Sequence, residues 1–340
     1  MNRELAQRVA DAVLYEGYML YPYRPSAMKN QQRWSFGILY PRAYGEVLSG
    51  TERSEMHSEC LLEIKSDVAI EVRLRFLHLV ARRVEKSFDG RLQVVPSLVI
   101  DDQLLEGWDE GVARTVEFEM VPLENLQRHF EFSFPASEEV RSLPDKGGDM
   151  VGSIRRTQCE LTGTVSLASQ NIREDVLKLT INVSNVTSLP ENAIDRHSAL
   201  LRSLLSAHMI LTLERGGEFI SLLDPAEEFK EAANTCKNVG NFPVLVGEQG
   251  ERDTLLCSPI ILYDYPQIAP ESSGDFFDAT EIDEMLTLRV MTLTEQEKQE
   301  MRLADEHVGK ILERTEQSAR EQLMRTHGTF RSLRAASEKQ

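Results

Sequence analysis

Glu271, Asp275, Asp278, Glu281, Asp283 and Glu284 lie in the stretch "APESSGDFFDATEIDEML", directly after the apolar run "LLCSPIILYDYP". Carboxylates this dense can hold a hard cation such as Ca²⁺ or Mg²⁺, do acid/base work, cap a helix or meet a basic partner. Asp275, Asp278 and Glu281 are spaced three apart, which groups them on one side of a helix. An EF-hand loop is excluded, because the alternate-residue oxygen ligands and central glycine are missing. Asp278 or Thr280 suits an N-cap, with Glu281 or Asp283 in a first turn that favours anions. Ile282, Met285, Leu286 and Leu288 would then form the buried face. The spacing favours a capped helix start with a solvated face, ahead of a partner surface, and a metal site last.

The stretch "LYEGYMLYPYRPSAMKNQQRW" offers a different chemistry. It holds Tyr15, Tyr18, Tyr21, Tyr23 and Trp34 among Arg24, Lys29 and Arg33. Tyrosine and arginine bury large areas while keeping a polar handle, so they dominate interfaces. The competing reading is a tyrosine-rich core edge whose arginines pair with an acidic body. The candidate interface set is Tyr21, Tyr23, Arg24, Lys29, Arg33 and Trp34, together with Asp275, Asp278 and Glu281. Known catalytic patterns are missing from the sequence. It has no HExxH, no GxSxG elbow, no GxxxxGK[ST] loop and no GxGxxG after a strand. No catalytic residue, metal ligand or cofactor is predicted.

The chain has 340 residues and a formal net charge of −17. Its length gives a prior of about two domains. Residues 1–44 carry a net +3, residues 291–340 a net of zero, and the middle a net −20. Such a body repels nucleic-acid phosphates and anionic lipids, so DNA or RNA is not the expected ligand. No apolar run reaches the roughly 18 residues that would suggest a membrane span. The N-terminus lacks the apolar core of a signal peptide. Cys60, Cys159, Cys236 and Cys257 show no metal-knuckle spacing and are expected to be reduced thiols, mostly buried, in a cytoplasmic protein. The sequons at Asn182 and Asn185 fall in an expected strand and carry no weight in that setting.

The positioning elements follow from hydrophobic period. Leu5, Val9, Ala12 and Val13 predict a helix over residues 2–20. Ile70, Val72, Leu74 and Phe76 alternate with charged residues, as do Leu177, Leu179, Ile181 and Val183 with polar ones, which is strand periodicity. "SLPDKGGDMVGS" reads as a turn between strands. "ENAIDRHSALLRSLLSAHMILTL" begins helical and then extends, a short helix follows Asp224-Pro225, and "FPVLVG" and "LLCSPIILYDYP" read as buried strands. Thr294 and Glu297 form a capping-box pattern at the head of a long polar helix.

The expected fold is α+β, with a central antiparallel β-sandwich or curved sheet and flanking N- and C-terminal helices. The expected division is residues 1–190, a helix plus the β-rich region; 191–290, a mixed α/β region sharing that core; 291–328, a long helix; and 329–340, a disordered tail.

The segments "LYEGYMLYPYRPSAMKNQQRWSFGILYPRAY" and "SPIILYDYPQIAPESSGDFFDATEIDEMLTLRVMTLTEQEK" resemble a bacterial family without an assigned reaction. Its members are encoded in gene clusters for high-affinity, oxygen-tolerant uptake hydrogenases of the nickel–iron type. The resemblance implies a non-catalytic accessory or assembly protein, chaperone-like, whose partners are hydrogenase subunits or maturation factors. The chain lacks the CxxC pairs of a nickel-delivery zinc protein and the nucleotide loop of a maturation GTPase. It also lacks the clustered cysteines of an iron–sulfur subunit. Two alternatives stand beside this reading. One is an enzyme of unknown class with its site between the Tyr/Arg and acidic segments. The other is a structural subunit of a larger complex, or a homo-oligomer formed through the C-terminal helix.

Overall fold

The computed structural model describes residues 2–16, 18, 35–48, 50–101, 103–190, 194–214, 216–267, 290, 293–304, 308–313 and 315–316. Helices α1 (Asn2–Tyr15) and α2 (Arg42–Val47) come first. Eleven strands follow: β1 (Glu55–Ile64), β2 (Ala69–Phe88), β3 (Arg91–Val95), β4 (Ser97–Ile100), β5 (Gln103–Glu106), β6 (Trp108–Pro122), β7 (Gln127–Phe134), β8 (Ser137–Pro144), β9 (Met150–Gln158), β10 (Leu161–Arg173) and β11 (Val176–Asn185). Then come α3 (Arg196–Leu200), β12 (Leu205–Leu213), β13 (Gly217–Ile220), α4 (Lys230–Thr235), β14 (Phe242–Leu245), β15 (Thr254–Ser258) and α5 (Glu295–Ala304).

The strands form an α+β protein with an antiparallel sandwich at its centre. One sheet runs β13-β1-β11-β10-β7; the other runs β14-β15-β12-β2-β9-β8, with β3 and β6 also paired to β2. Ile70, Val72, Leu74 and Phe76 of β2 meet Leu179, Ile181 and Val183 of β11 between the sheets. The period of two in both strands puts these side chains on one face. Burying each one fully contributes about 1.5–3 kcal/mol relative to exposure. β12 pairs with β2 and β13 pairs with β1, so strands from either side of residue 190 share both sheets.

The outer face of the larger sheet is covered by helices from both chain ends. α1 lays Ala6, Val9, Ala10 and Val13 on Ile210, Val244, Val246 and Leu256. This stripe is rotated from the one expected, with Leu5 and Ala12 only at its flanks. α1 also ends at Tyr15, short of residue 20. At the other end Met301, Val308, Ile311 and Leu312 pack with Tyr18, Leu77, Leu79 and Trp108. The apolar residues described in this C-terminal segment are thus buried in the chain's own core.

The Thr294 capping box forms. The Thr294 N–H donates to Glu297 Oε2 at 2.9 Å, and the Glu297 N–H donates to Thr294 Oγ1 at 3.2 Å. One strand is shorter than its sequence suggests. β15 stops at Ser258, because Pro259 has no N–H to continue the ladder. Ile261 and Tyr263, expected in a buried strand, are instead 95% and 81% exposed. The helix expected at the acidic stretch and the disordered tail lie outside the described residues, as does everything expected beyond residue 316. Among the described residues no helix is long and apolar enough to cross a membrane.

Candidate functional site

Two arginine doublets, Arg82-Arg83 on β2 and Arg155-Arg156 on β9, face each other in register. Arg82 is opposite Arg156, and Arg83 is opposite Arg155. Residues directly opposite in an antiparallel pair share a sheet face, so each face receives one pair of guanidiniums. Four like charges on adjacent rungs would repel. Carboxylates on the flanking strands offset this: β6 contributes Asp109 and Glu110, while β8 contributes Glu138 and Glu139.

On one face Glu110 is the centre. Its Oε2 accepts from Arg156 Nη2 at 2.6 Å and Nε at 2.8 Å, while Arg82 Nη1 lies 3.6 Å from Oε1. Glu139 is 3.5 Å from Arg156 on the other side. On the opposite face Arg83 donates to Asp109 Oδ1 at 2.8 Å. Arg155 spans Glu138 at 2.6 Å and the buried Glu85 at 2.8 Å. The Arg155 guanidinium, helped by the Ser153 hydroxyl, holds the Glu85 carboxyl below the usual range.

His197, from α3, joins this second face. Its Nε2 lies 2.8 Å from Asp109 Oδ2 and 3.2 Å from Arg83 Nη2. The Asp109 hydrogen bond raises the His197 pKa and outweighs burial, which acts the other way. Burial pushes the Asp109 carboxyl up, but His197 and Arg83 together hold it below its ordinary value. A carboxylate held ionised by two cations is a weak base. Among the described residues the His197 ring meets only Asp109 and Arg83.

A cleft of about 1090 Å³ opens on the Glu110 side. Leu105 of the β4–β5 hairpin, Leu143 and Ile154 give its mixed lining an apolar patch. It is also lined by Arg82, Arg141, Lys146, Arg156, Arg302 and Lys310, with Asp101, Glu110 and Glu139. The β8–β9 turn that carries Lys146 is fixed by Asp145, whose Oδ1 accepts from the N–H groups of Gly147 and Asp149 at 2.8 and 2.9 Å.

The sequence-predicted interface residues Tyr21, Tyr23, Arg24, Lys29, Arg33, Trp34, Asp275, Asp278 and Glu281 all lie outside the described residues. From the same tyrosine-rich stretch, Tyr18 is described and buried, edge-on to Tyr15 and Trp108 with centroids 5.9 and 6.4 Å apart. The arginine doublets were missed. Their signal was present in "VARRVE" and "SIRRTQ", where a charged pair interrupts a strand and so places one charge on each face.

A scan against protein-family models finds no match for this chain, and a search of curated proteins finds no relative.

Proposed function

We propose that this chain is a cytoplasmic, non-catalytic accessory protein that binds nickel–iron hydrogenase subunits or maturation factors during assembly. The two segments that resemble the hydrogenase-associated family supply the partner. The observation that favours binding over catalysis is the closure of the charged groups on one another. Glu110 is gripped by Arg156 beside Arg82, and Asp109 by Arg83 and His197. Charges tied this way stabilise and orient a recognition surface, whereas a general base needs a carboxylate poised near neutral pH. In this reading Tyr21, Tyr23, Arg24, Lys29, Arg33 and Trp34 form one part of the contact surface, and Asp275, Asp278 and Glu281 another.

The test is affinity purification from the native host grown on hydrogen, paired with deletion of the gene. Hydrogenase subunits or maturation factors should co-purify, and the deletion should lower hydrogenase activity. Normal hydrogenase maturation in the deletion strain, with none of those proteins recovered, would refute the reading.

A further inference from the structure

We propose that the cleft beside Glu110 binds a small organic anion carrying two or more negative charges, phosphorylated or polycarboxylate, on an apolar body. Three observations carry this.

Among its described lining residues the cleft holds six cations and three carboxylates, with Glu316 paired to Arg302 beside them, in a chain whose overall charge is −17. A local reversal of sign against the whole-protein field concentrates anions at that spot. Most of these charges are already engaged: Arg82 and Arg156 with Glu110, Arg156 also with Glu139, and Arg302 with Glu316, while Lys310 has a partner too. Arg141 and Lys146, which also line the cleft, have no ion pair among the described residues. Arg141 is presented by β8, and Lys146 by the Asp145-stabilised turn, so both cations stem from ordered backbone.

The apolar patch is the second observation. Leu105, Leu143 and Ile154 belong to one buried cluster with Val84 and Leu98. A charged head at Arg141 and Lys146 would therefore have an apolar surface for its body. Small-molecule sites combine such a lining with a few convergent polar groups.

Size is the third. A cleft near 1090 Å³ is slightly larger than the roughly 300–1,000 Å³ of typical small-molecule pockets, so it has room for a molecule of about nucleotide size. A long polyanion such as RNA is disfavoured, because outside this patch it would meet the −20 body.

The test is calorimetric titration of the purified full chain at low salt with adenosine diphosphate, inorganic pyrophosphate and citrate. At least one organic probe should bind. If the diphosphate nucleotide binds more tightly than pyrophosphate, the apolar side chains are in use; if citrate, which has no apolar body, binds more tightly than either, charge alone is recognised and the proposal fails. The double substitution Arg141→Ala with Lys146→Ala should weaken binding by about tenfold or more without changing the melting temperature, since both side chains are exposed. Arg141→Glu should weaken it further, and added salt should weaken it in the native chain. No heat from any probe overturns the proposal, as does binding undiminished by the double substitution, or pyrophosphate binding as tightly as the nucleotide. The hydrogenase reading is untouched by any of these results, because it is tested in the host.

Discussion

Gly111 donates its backbone N–H to the Tyr18 hydroxyl at 2.7 Å, and the tyrosine ring covers the side of Gly111 where a side chain would stand. A Cβ there would meet Tyr18 Cε2 at 2.5 Å. The contact ties the segment after α1 to edge strand β6, beside the charged residues Asp109 and Glu110. Gly111→Ala should therefore destabilise the fold by about 1–3 kcal/mol through overpacking. Tyr18→Phe keeps the ring and loses only the hydroxyl, for about 0.5–1.5 kcal/mol. Urea unfolding of the two variants checks the order; a neutral Gly111→Ala would mean that the ring does not sit there.

Two buried histidines should make the protein acid-sensitive. Burial, reinforced by the Arg114 charge, lowers His78 to about 4, and burial with Arg75 lowers His208 to about 3. Both are neutral when folded at pH 5, whereas in the unfolded chain they protonate near pH 6.5. The unfolded state binds more protons in this window, so stability falls as pH drops from about 6.5 towards 4. The loss should be on the order of a few kcal/mol. Replacing His208 with leucine should flatten the slope of stability against pH between 4 and 6.5, measured by denaturant unfolding. An unchanged slope would show that other groups carry it.

His197 should behave in the opposite sense. Its pKa is raised by Asp109, so its contribution is complete below the unfolded value and fades as pH rises through the folded one. Proton NMR of the imidazole should show a midpoint above that of a free histidine. Asp109→Asn should move the midpoint down, because the charge that holds the proton is gone. A midpoint that ignores the substitution would separate the two residues in solution.

How much of this was readable beforehand depends on the period of each strand. β11 and the first half of β2 alternate cleanly in sequence, and the structure buries Ile70, Val72, Leu74 and Phe76 on the side facing Leu179, Ile181 and Val183. The capping box at Thr294 was legible because both partners lie within one turn. β3, β4 and β5 were not, since "RLQVVPSLVIDDQLLE" has no sustained alternation. Their hairpins turn on Asp89, Gly90 and Asp101, with φ of 47°, 78° and 51°. Such left-handed positions suit Asp and Gly, so "FDGR" was a usable turn signal. The pairing of Arg156 with Glu110 could not be read at all. It depends on the register of two separate strands against β2, and that register is set by the whole core.

The thiols offer a chemical test of burial. Cys60 and Cys257 are buried in the sandwich, and burial pushes Cys257 to about 12 and raises Cys60 in the same direction. Only the thiolate attacks a disulfide reagent, so both should react slowly in the native protein. Titration with a chromogenic disulfide should leave these two unlabelled until denaturant is added. Rapid native labelling of either, located by mass spectrometry, would contradict the packing between the sheets.

Asn185 is the polar pin at the end of β11. Its Nδ2 donates to the carbonyls of Leu39 and Arg202, both at 2.8 Å, and its Oδ1 accepts from the Thr187 N–H at 3.0 Å. Asn185 is 1% exposed, and its bonds to Leu39 and Thr187 are buried, while the one to Arg202 is partly so. It thereby joins the segment before β1, the end of the smaller sheet and the turn after α3. Asn185→Ala removes all three bonds; the Leu39 carbonyl keeps the Leu204 N–H, but the Arg202 carbonyl and the Thr187 N–H lose this partner, at about 1–3 kcal/mol for each group that water cannot reach. Asn185→Asp keeps the acceptor but replaces the donor with a carboxylate that faces two carbonyl oxygens. It should be at least as damaging at neutral pH, and partly relieved on acidification as the carboxyl regains a donor. Thermal unfolding of both variants at pH 5 and pH 7 tests this. A smaller loss for Asn185→Asp than for Asn185→Ala at pH 7 would mean that the two carbonyls are not where the side chain points. The same burial bears on the sequon, because a side chain enclosed by three backbone partners cannot carry a glycan in the folded protein.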